Sequence, residues 1–224
     1  MDQQLLDTLR VIALPMKSKF RGITVREVAL IKGPFGWGEF SPFLEYEDAE
    51  SAHWLASAVE AATTPRPQLF RTAVPVNGTI PALNDPAQLQ ELVASFPGVK
   101  SFKVKVGENL VDDVARVNLI RQLQPEAKIR VDVNGLWSVE QAVEFLKLVG
   151  EIEYIEQPCA TIEELRELKN KSSVKIVADE VLRKASDPFE VNLVGAVDYL
   201  MLKVQPLGGI KRARALAEHH KLPI

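Results

Sequence analysis

The 224-residue sequence predicts an α/β chain, a parallel β/α barrel preceded by a small α+β domain. Three observations carry that expectation. Five short apolar segments (residues 102–106, 129–134, 152–157, 176–180 and 199–203) each close on a charged residue that a buried strand normally avoids. Those end residues, Lys105, Asp132, Glu156, Asp179 and Lys203, follow one another at steps of 27, 24, 23 and 24 residues. A strand, a helix and two connections take about that length, so the charges recur at one end of successive parallel strands. The stretch before about residue 70 lacks this alternation.

The elements follow in order. Residues 9–14 and 24–31 read as strands, with a polar loop over 15–22 between them. Gly33-Pro34-Phe35-Gly36 turns the chain into a third short strand, 37–40. Residues 47–62 read as a helix with Ala52, Leu55, Ala56 and Val59 on one face. This pattern delimits a domain over residues 1–70, joined through Thr63-Thr64-Pro65-Arg66-Pro67 to a barrel domain over 71–224. There, 74–79 is the expected first strand, and Asp85-Pro86 supplies an N-cap and a first helical position. Strand 101–106, helix 112–122 and strand 129–133 come next. Ser138 with Gln141, and Thr161 with Glu164, have the spacing of capping boxes. Asp187-Pro188 is expected to open the helix after the fifth strand, and Gly208-Gly209 precedes the one after the sixth. Leu222-Pro223-Ile224 looks like the opening of a seventh strand, so the barrel is expected to be truncated after six. An open barrel leaves an edge through which copies could self-associate.

Composition narrows the function classes. A net charge of −3 provides no basic field for nucleic acid. No apolar run reaches membrane-spanning length, and Met1-Asp2-Gln3-Gln4 is not the start of a signal peptide, so a cytoplasmic protein is expected. Cys159 is the single cysteine, which excludes an intramolecular disulfide and suits a reducing compartment. His53, His219 and His220 are assigned no catalytic role.

The strand ends carry the chemistry. Asp132, Glu156 and Asp179 on neighbouring strands would form a cluster of like charges that needs a cation. Oxygen-only ligation suits a hard ion, Mg²⁺ more readily than Ca²⁺. Lys105 and Lys203 flank that cluster, and a lysine beside a divalent cation can act as a base near neutrality. Metal-bound carboxylate with a lysine base removes a proton α to a carboxylate, the chemistry of enolase-type sites. Lys103 shares strand parity with Lys105, and Arg130 and Asn134 share it with Asp132. Glu153 and Glu180 have the opposite parity.

These residues resemble a known family. Lys103-Val104-Lys105 looks like the KxK motif of the enolase superfamily, Arg130-Val131-Asp132-Val133-Asn134 its RxDxN and Glu156-Gln157-Pro158 its EQP. Asp179-Glu180 resembles its DE pair, and Lys203 to Gly209 its KxxxxGG. The set is that of the muconate-lactonizing subgroup. Within it, Phe20-Arg21-Gly22-Ile23 and the run from Trp37 to Phe43 resemble actinobacterial o-succinylbenzoate synthases. The resemblance implies a modified TIM-type (β/α)7β barrel under an N-terminal capping domain, with Mg²⁺ on Asp132, Glu156 and Asp179. It implies syn dehydration of a cyclohexadiene carboxylate to o-succinylbenzoate in menaquinone biosynthesis. Lys105 would be the base and Lys203 the stabiliser of the enediolate. Substrate contacts would fall at Lys103, Arg130, Asn134, Arg21 and Gly209, with the 15–22 loop folding over the substrate. N-acylamino acid racemase and dipeptide epimerase start with the same proton abstraction, and a self-associating fragment without activity is the other alternative.

Overall fold

The structure, a computed structural model, describes residues 2–20 and 22–224. Arg21, an expected substrate contact, lies outside the described residues. The chain forms two compact units, one of residues up to Phe70 with Leu202–His219, the other of Arg71–Met201 with His220–Ile224. Residues 202–219, assigned from sequence to the barrel domain, thus cluster with the N-terminal residues.

The first unit opens with α1 (Gln3–Leu6), capped by the side chain of Asp2. Strands β1 (Arg10–Phe20), β2 (Ile23–Gly33) and β3 (Gly36–Phe40) form an antiparallel sheet in that order. The polar segment expected as a loop instead continues β1 through Pro15 to Phe20, with a register shift against β2 between those residues. Pro15 has no N–H to donate, but β1 is an edge strand, where proline is tolerated. Helix α2 (Asp48–Thr63) covers the sheet. It buries Trp54, Ser57, Ala58 and Ala62, while Ala52 and Ala56 of the expected face are not buried. The reason is a close approach: a Cβ at Gly38 would overlap the carbonyl of Ala58. Backbones that close accept only small residues between them, so Ala58 and Ala62 face inward with Leu5 and Ile31, and Val59 packs at the border.

The second unit alternates strand and helix: β4 (Gly78–Ile80), α3 (Pro86–Ala94), β5 (Ser101–Lys105), α4 (Leu110–Leu123) and β6 (Lys128–Asp132). It continues through α5 (Val139–Val149), β7 (Tyr154–Glu156), α6 (Ile162–Lys171), β8 (Ile176–Ala178), α7 (Glu180–Arg183) and β9 (Tyr199–Leu200), and α8 (Ile210–His220) follows. The strands β4 to β9 are parallel and lie in chain order. Val104, Val131, Ile155, Ile176 and Ala178 are fully buried, as parallel strands covered on both faces require. Asp85 and Pro86 open α3, Asn109 caps α4, and both expected capping boxes are present at Ser138/Gln141 and Thr161/Glu164.

Two expectations shift. The first strand starts at Gly78, because only Gly78–Ile80 finds a partner in β5, and Val74 and Val76 stay exposed. No helix opens at Asp187: its carboxylate accepts the N–H of Phe189 at 2.9 Å and closes a turn, a local bond that competes with helix. Beside β9, Leu200 donates its N–H to Pro223 O at 2.9 Å, so the last residues run along that edge.

Candidate active site

The C-terminal ends of β5 to β8 bring the expected charges together. Strand register sets Lys105 beside Asp132 and Asp132 beside Glu156, and Asp179 directly follows β8. Asp132, Glu156 and Asp179 are all fully buried. Lys103 Nζ lies 2.8 Å from Asp132 Oδ2 and 2.8 and 2.6 Å from the two oxygens of Glu156. Lys105 Nζ donates to Asp132 Oδ2 at 2.6 Å and to Asn134 Oδ1 at 2.7 Å. Of the two lysine side chains Lys105 is the more accessible, 33% against 14%.

Two non-glycine residues at this rim adopt left-handed backbone, Asn134 at φ 55° and Gln157 at φ 39°. Such conformations cost about 1–3 kcal/mol and persist where surrounding bonds over-determine them. Gly135 N donates to Gln157 O at 2.7 Å, and Asn134 N to Asp132 Oδ1 at 3.2 Å. The buried Gln157 amide uses both ends: Oε1 accepts the N–H groups of Asp179 (3.0 Å) and Val181 (3.2 Å), and Nε2 donates to Cys159 O (2.9 Å). Arg183 donates to Asp179 Oδ1 at 3.0 Å and to Glu180 Oε1 at 3.1 Å, and Asn134 Nδ2 reaches the same Glu180 oxygen at 3.0 Å. Glu180, of opposite strand parity, joins the cluster because the chain has already turned into α7.

The electrostatics leave room for more positive charge. Burial pushes the Asp132 carboxyl up, but the ammoniums of Lys103 and Lys105 outweigh it and hold it below the ordinary range. Burial and the neighbouring Asp132 and Asp179 push the Glu156 carboxyl up, more than Lys103 lowers it. Among the described residues no three His, Cys, Asp or Glu side chains converge as a ready-made metal cage. Lys103 stands between two of the carboxylates instead, and Arg183 holds the third. The donor set nevertheless fits a hard divalent cation: three buried carboxylates on consecutive strand ends, oxygen ligands only, with Glu156 held short of easy ionisation by burial and by its acidic neighbours.

Arg130 sits one row below the rim, opposite Tyr154, pairing with Glu153 at 2.5 Å and stacking over the Tyr154 ring at 5.1 Å. Lys203 and Gly209 belong to the first unit. Lys203 is half-buried in a turn closed by Leu207 N to Lys203 O (3.1 Å) and Gly209 N to Val204 O (2.9 Å). Glu60 of α2 caps the helix that follows, accepting from Ile210 N at 2.8 Å and Lys211 N at 3.2 Å. Gly209 has φ 126°, a backbone conformation strained for a residue with a Cβ, and a Cβ there would push aside the Glu60 carboxylate. A large cavity of about 880 Å³ is lined by Lys128, Glu151, Glu153 and Lys175 at the opposite strand ends and contains none of the clustered carboxylates.

Residues 11–62 match the family model for enolase N-terminal domain-like segments, and residues 86–224 the model for enolase C-terminal domain-like segments. The chain is 52% identical to an o-succinylbenzoate synthase of Mycolicibacterium smegmatis, an alignment covering 98% of this chain and 70% of that protein. A Mycobacterium tuberculosis protein of the same name is 50% identical, covering 99% and 69%. Among solved structures, the chain resembles a dipeptide epimerase from Enterococcus faecalis complexed with Mg and the dipeptide L-Leu-L-Tyr. The TM-score is 0.78 at 21% identity, with 96% of this chain and 79% of that chain covered. A muconate cycloisomerase from Pseudomonas fluorescens superposes with a TM-score of 0.72 at 20% identity, covering 96% and 76%.

Proposed function

This chain belongs to the enolase superfamily and, within it, to the o-succinylbenzoate synthases, and from that premise we propose how its residues carry the reaction. It is a carbon–oxygen lyase. The substrate is 2-succinyl-6-hydroxy-2,4-cyclohexadiene-1-carboxylate, which loses the proton α to its carboxylate and its ring hydroxyl as water, on one face, to give o-succinylbenzoate for menaquinone biosynthesis. One observation supports the assignment of roles above the rest: a partly accessible side-chain amine nitrogen, Lys105 Nζ, stands beside a fully buried set of carboxylates at the strand ends.

Lys105 Nζ takes the α-proton and then returns it to the departing hydroxyl, so the lysine is unchanged after one turnover. Asn134 Oδ1 and Asp132 Oδ2, 2.7 and 2.6 Å from that nitrogen, aim it. Lys103 keeps Asp132 and Glu156 together against their repulsion. Asp132, Glu156 and Asp179 would hold Mg²⁺, which supplies positive charge against the substrate carboxylate as it gains electrons. Lys203 is given the role of stabilising the enediolate that the resemblance implies, and Arg130 arranges the layer below the carboxylates. A cytoplasmic setting, suited to the single Cys159, belongs to the same proposal. So does self-association of the chain, which sedimentation velocity would remove by showing only monomer at all concentrations.

The test is an o-succinylbenzoate synthase assay on this chain with and without a chelator. Mg²⁺-dependent turnover is expected, falling roughly 10²–10⁴-fold in Lys105→Ala with Mg²⁺ binding retained. Turnover insensitive to the chelator, or retained in Lys105→Ala, would refute the roles given.

A further inference from the structure

We propose that Arg116 and Asp113, a buried ion pair on α4, are positioning residues that hold the base Lys105 at its place on the rim. The inference rests on the role proposed for Lys105. Both side chains are almost wholly inside, Asp113 at 0% and Arg116 at 2% exposure, on a helix face where the apolar pattern would call for hydrocarbon. Besides the bond between them, their bonds run to the end of β5 and to the loop after β4. Arg116 Nη1 donates to the carbonyl of Lys105 at 2.9 Å and to Asp113 Oδ1 at 2.7 Å. Its Nε donates to Leu83 O at 2.9 Å, and Nη2 reaches Asn84 Oδ1. Asp113 Oδ2 accepts the N–H of Gly107 at 2.8 Å. The pair therefore grips the backbone on both sides of Val106 and ties it to the loop after β4.

The ladder explains why this grip is needed. β4 ends at Ile80, opposite Val104, while Val106 N is directed to Asp132 O of β6. Backbone groups alternate sides along a strand, so the Lys105 carbonyl points past the end of β4, where no strand partner remains. The Arg116 guanidinium supplies the missing partner. A buried ion pair contributes little stability relative to packed apolar side chains of the same size, because desolvation offsets its attraction. What a planar fork with several donors provides is direction, and the direction here fixes the Cα from which the Lys105 side chain reaches Asp132.

The experiment replaces the pair by hydrocarbon in the full chain, Arg116→Met with Asp113→Leu. The expected result is a folded protein with a lowered unfolding midpoint, since Lys105 O, Leu83 O and Gly107 N lose their partners. Its kcat should fall about ten- to a hundredfold, as a misplacement of the reacting group by about 1 Å would cause. KM and the Mg²⁺ dissociation constant should stay within about twofold, a split that a merely structural role would not give. A folded double variant with wild-type kcat overturns the inference. Should that variant fail to fold, Arg116→Lys decides. It keeps the charge beside Asp113 but cannot serve Leu83, Asn84 and Lys105 at once, so its kcat must fall, and an unchanged kcat overturns the proposal. The two readings separate cleanly. Absence of turnover in the wild-type chain, or retention in Lys105→Ala, overturns the role of Lys105 and this inference with it. Turnover lost in Lys105→Ala but intact in the double variant overturns this inference alone.

Discussion

Replacing Lys103 by methionine keeps the length and most of the volume of the side chain and removes one positive charge. In the native site that charge lies within 2.8 Å of three carboxylate oxygens, on Asp132 and Glu156, whose side chains are 1% and 0% exposed. Removing one partner of such a group leaves buried charge uncompensated, which costs about 3–5 kcal/mol. For a chain of this size each kcal/mol lowers the midpoint by about 2–4 °C, so the β/α unit should melt roughly 6–20 °C lower at pH 7. The pH dependence has a defined sign. Burial lowers the Lys103 pKa, but Glu156 and Asp132 outweigh it and raise it above 10.5. A raised base contributes its stability fully below its ordinary value and loses it as pH rises through the folded one. Asp132 is lowered, so its contribution is present above 3.8 and lost as pH falls through its folded value. The gap between wild type and variant should thus be full at neutrality and narrow both in acid and above 10.5. Thermal unfolding followed by circular dichroism across pH measures it. A variant melting within about 2 °C of wild type at pH 7 would show that Lys103 does not hold the carboxylates together.

Gly209→Ala should lower stability by about 2–4 kcal/mol. The alanine is strained at φ 126°, and the Glu60 carboxylate must swing off Ile210 N and Lys211 N to make room. Chemical denaturation checks it, and a change under about 0.5 kcal/mol would mean that the cap is unimportant. Asp179→Asn should weaken Mg²⁺ binding by at least about tenfold in titration calorimetry, and an unchanged affinity would remove Asp179 from the ligand set. Cys159 is fully buried, and burial with the nearby acidic Glu164, Glu140 and Glu167 pushes its thiol up to about 12. It should not react with a thiol reagent at pH 8 in the native protein and should react fully in denaturant; rapid native labelling would contradict its burial.

Much of the site was legible because strand parity and spacing are local properties. A charge two residues from another on a strand shares its face, and a repeat near 24 residues returns each new charge to the same end of the sheet. Lys103, Lys105, Asp132, Glu156 and Asp179 came out of that arithmetic, and the caps at Asp85, Ser138 and Thr161 from equally local bonds. Glu180 did not, since parity stops applying where β8 ends and α7 begins. The inward face of α2 was also misplaced, because the apolar stripe was outvoted by a glycine on another element that lets Ala58 approach the sheet.

By itself, then, the sequence determined the parallel alternation, the end of the sheet where the charges gather and which charges they are, all of which follow from bonds and periods within a few residues. Only the tertiary structure decided what holds those charges in place. Arg116 and Asp113 are charged side chains that would ordinarily face solvent, and Gln157 is an amide that no apolar pattern marks. Their roles exist only once separate strand ends, with carbonyls and N–H groups left over by the ladder, are brought around them, because an unpaired backbone group is created by topology and has no signature in the chain that makes it.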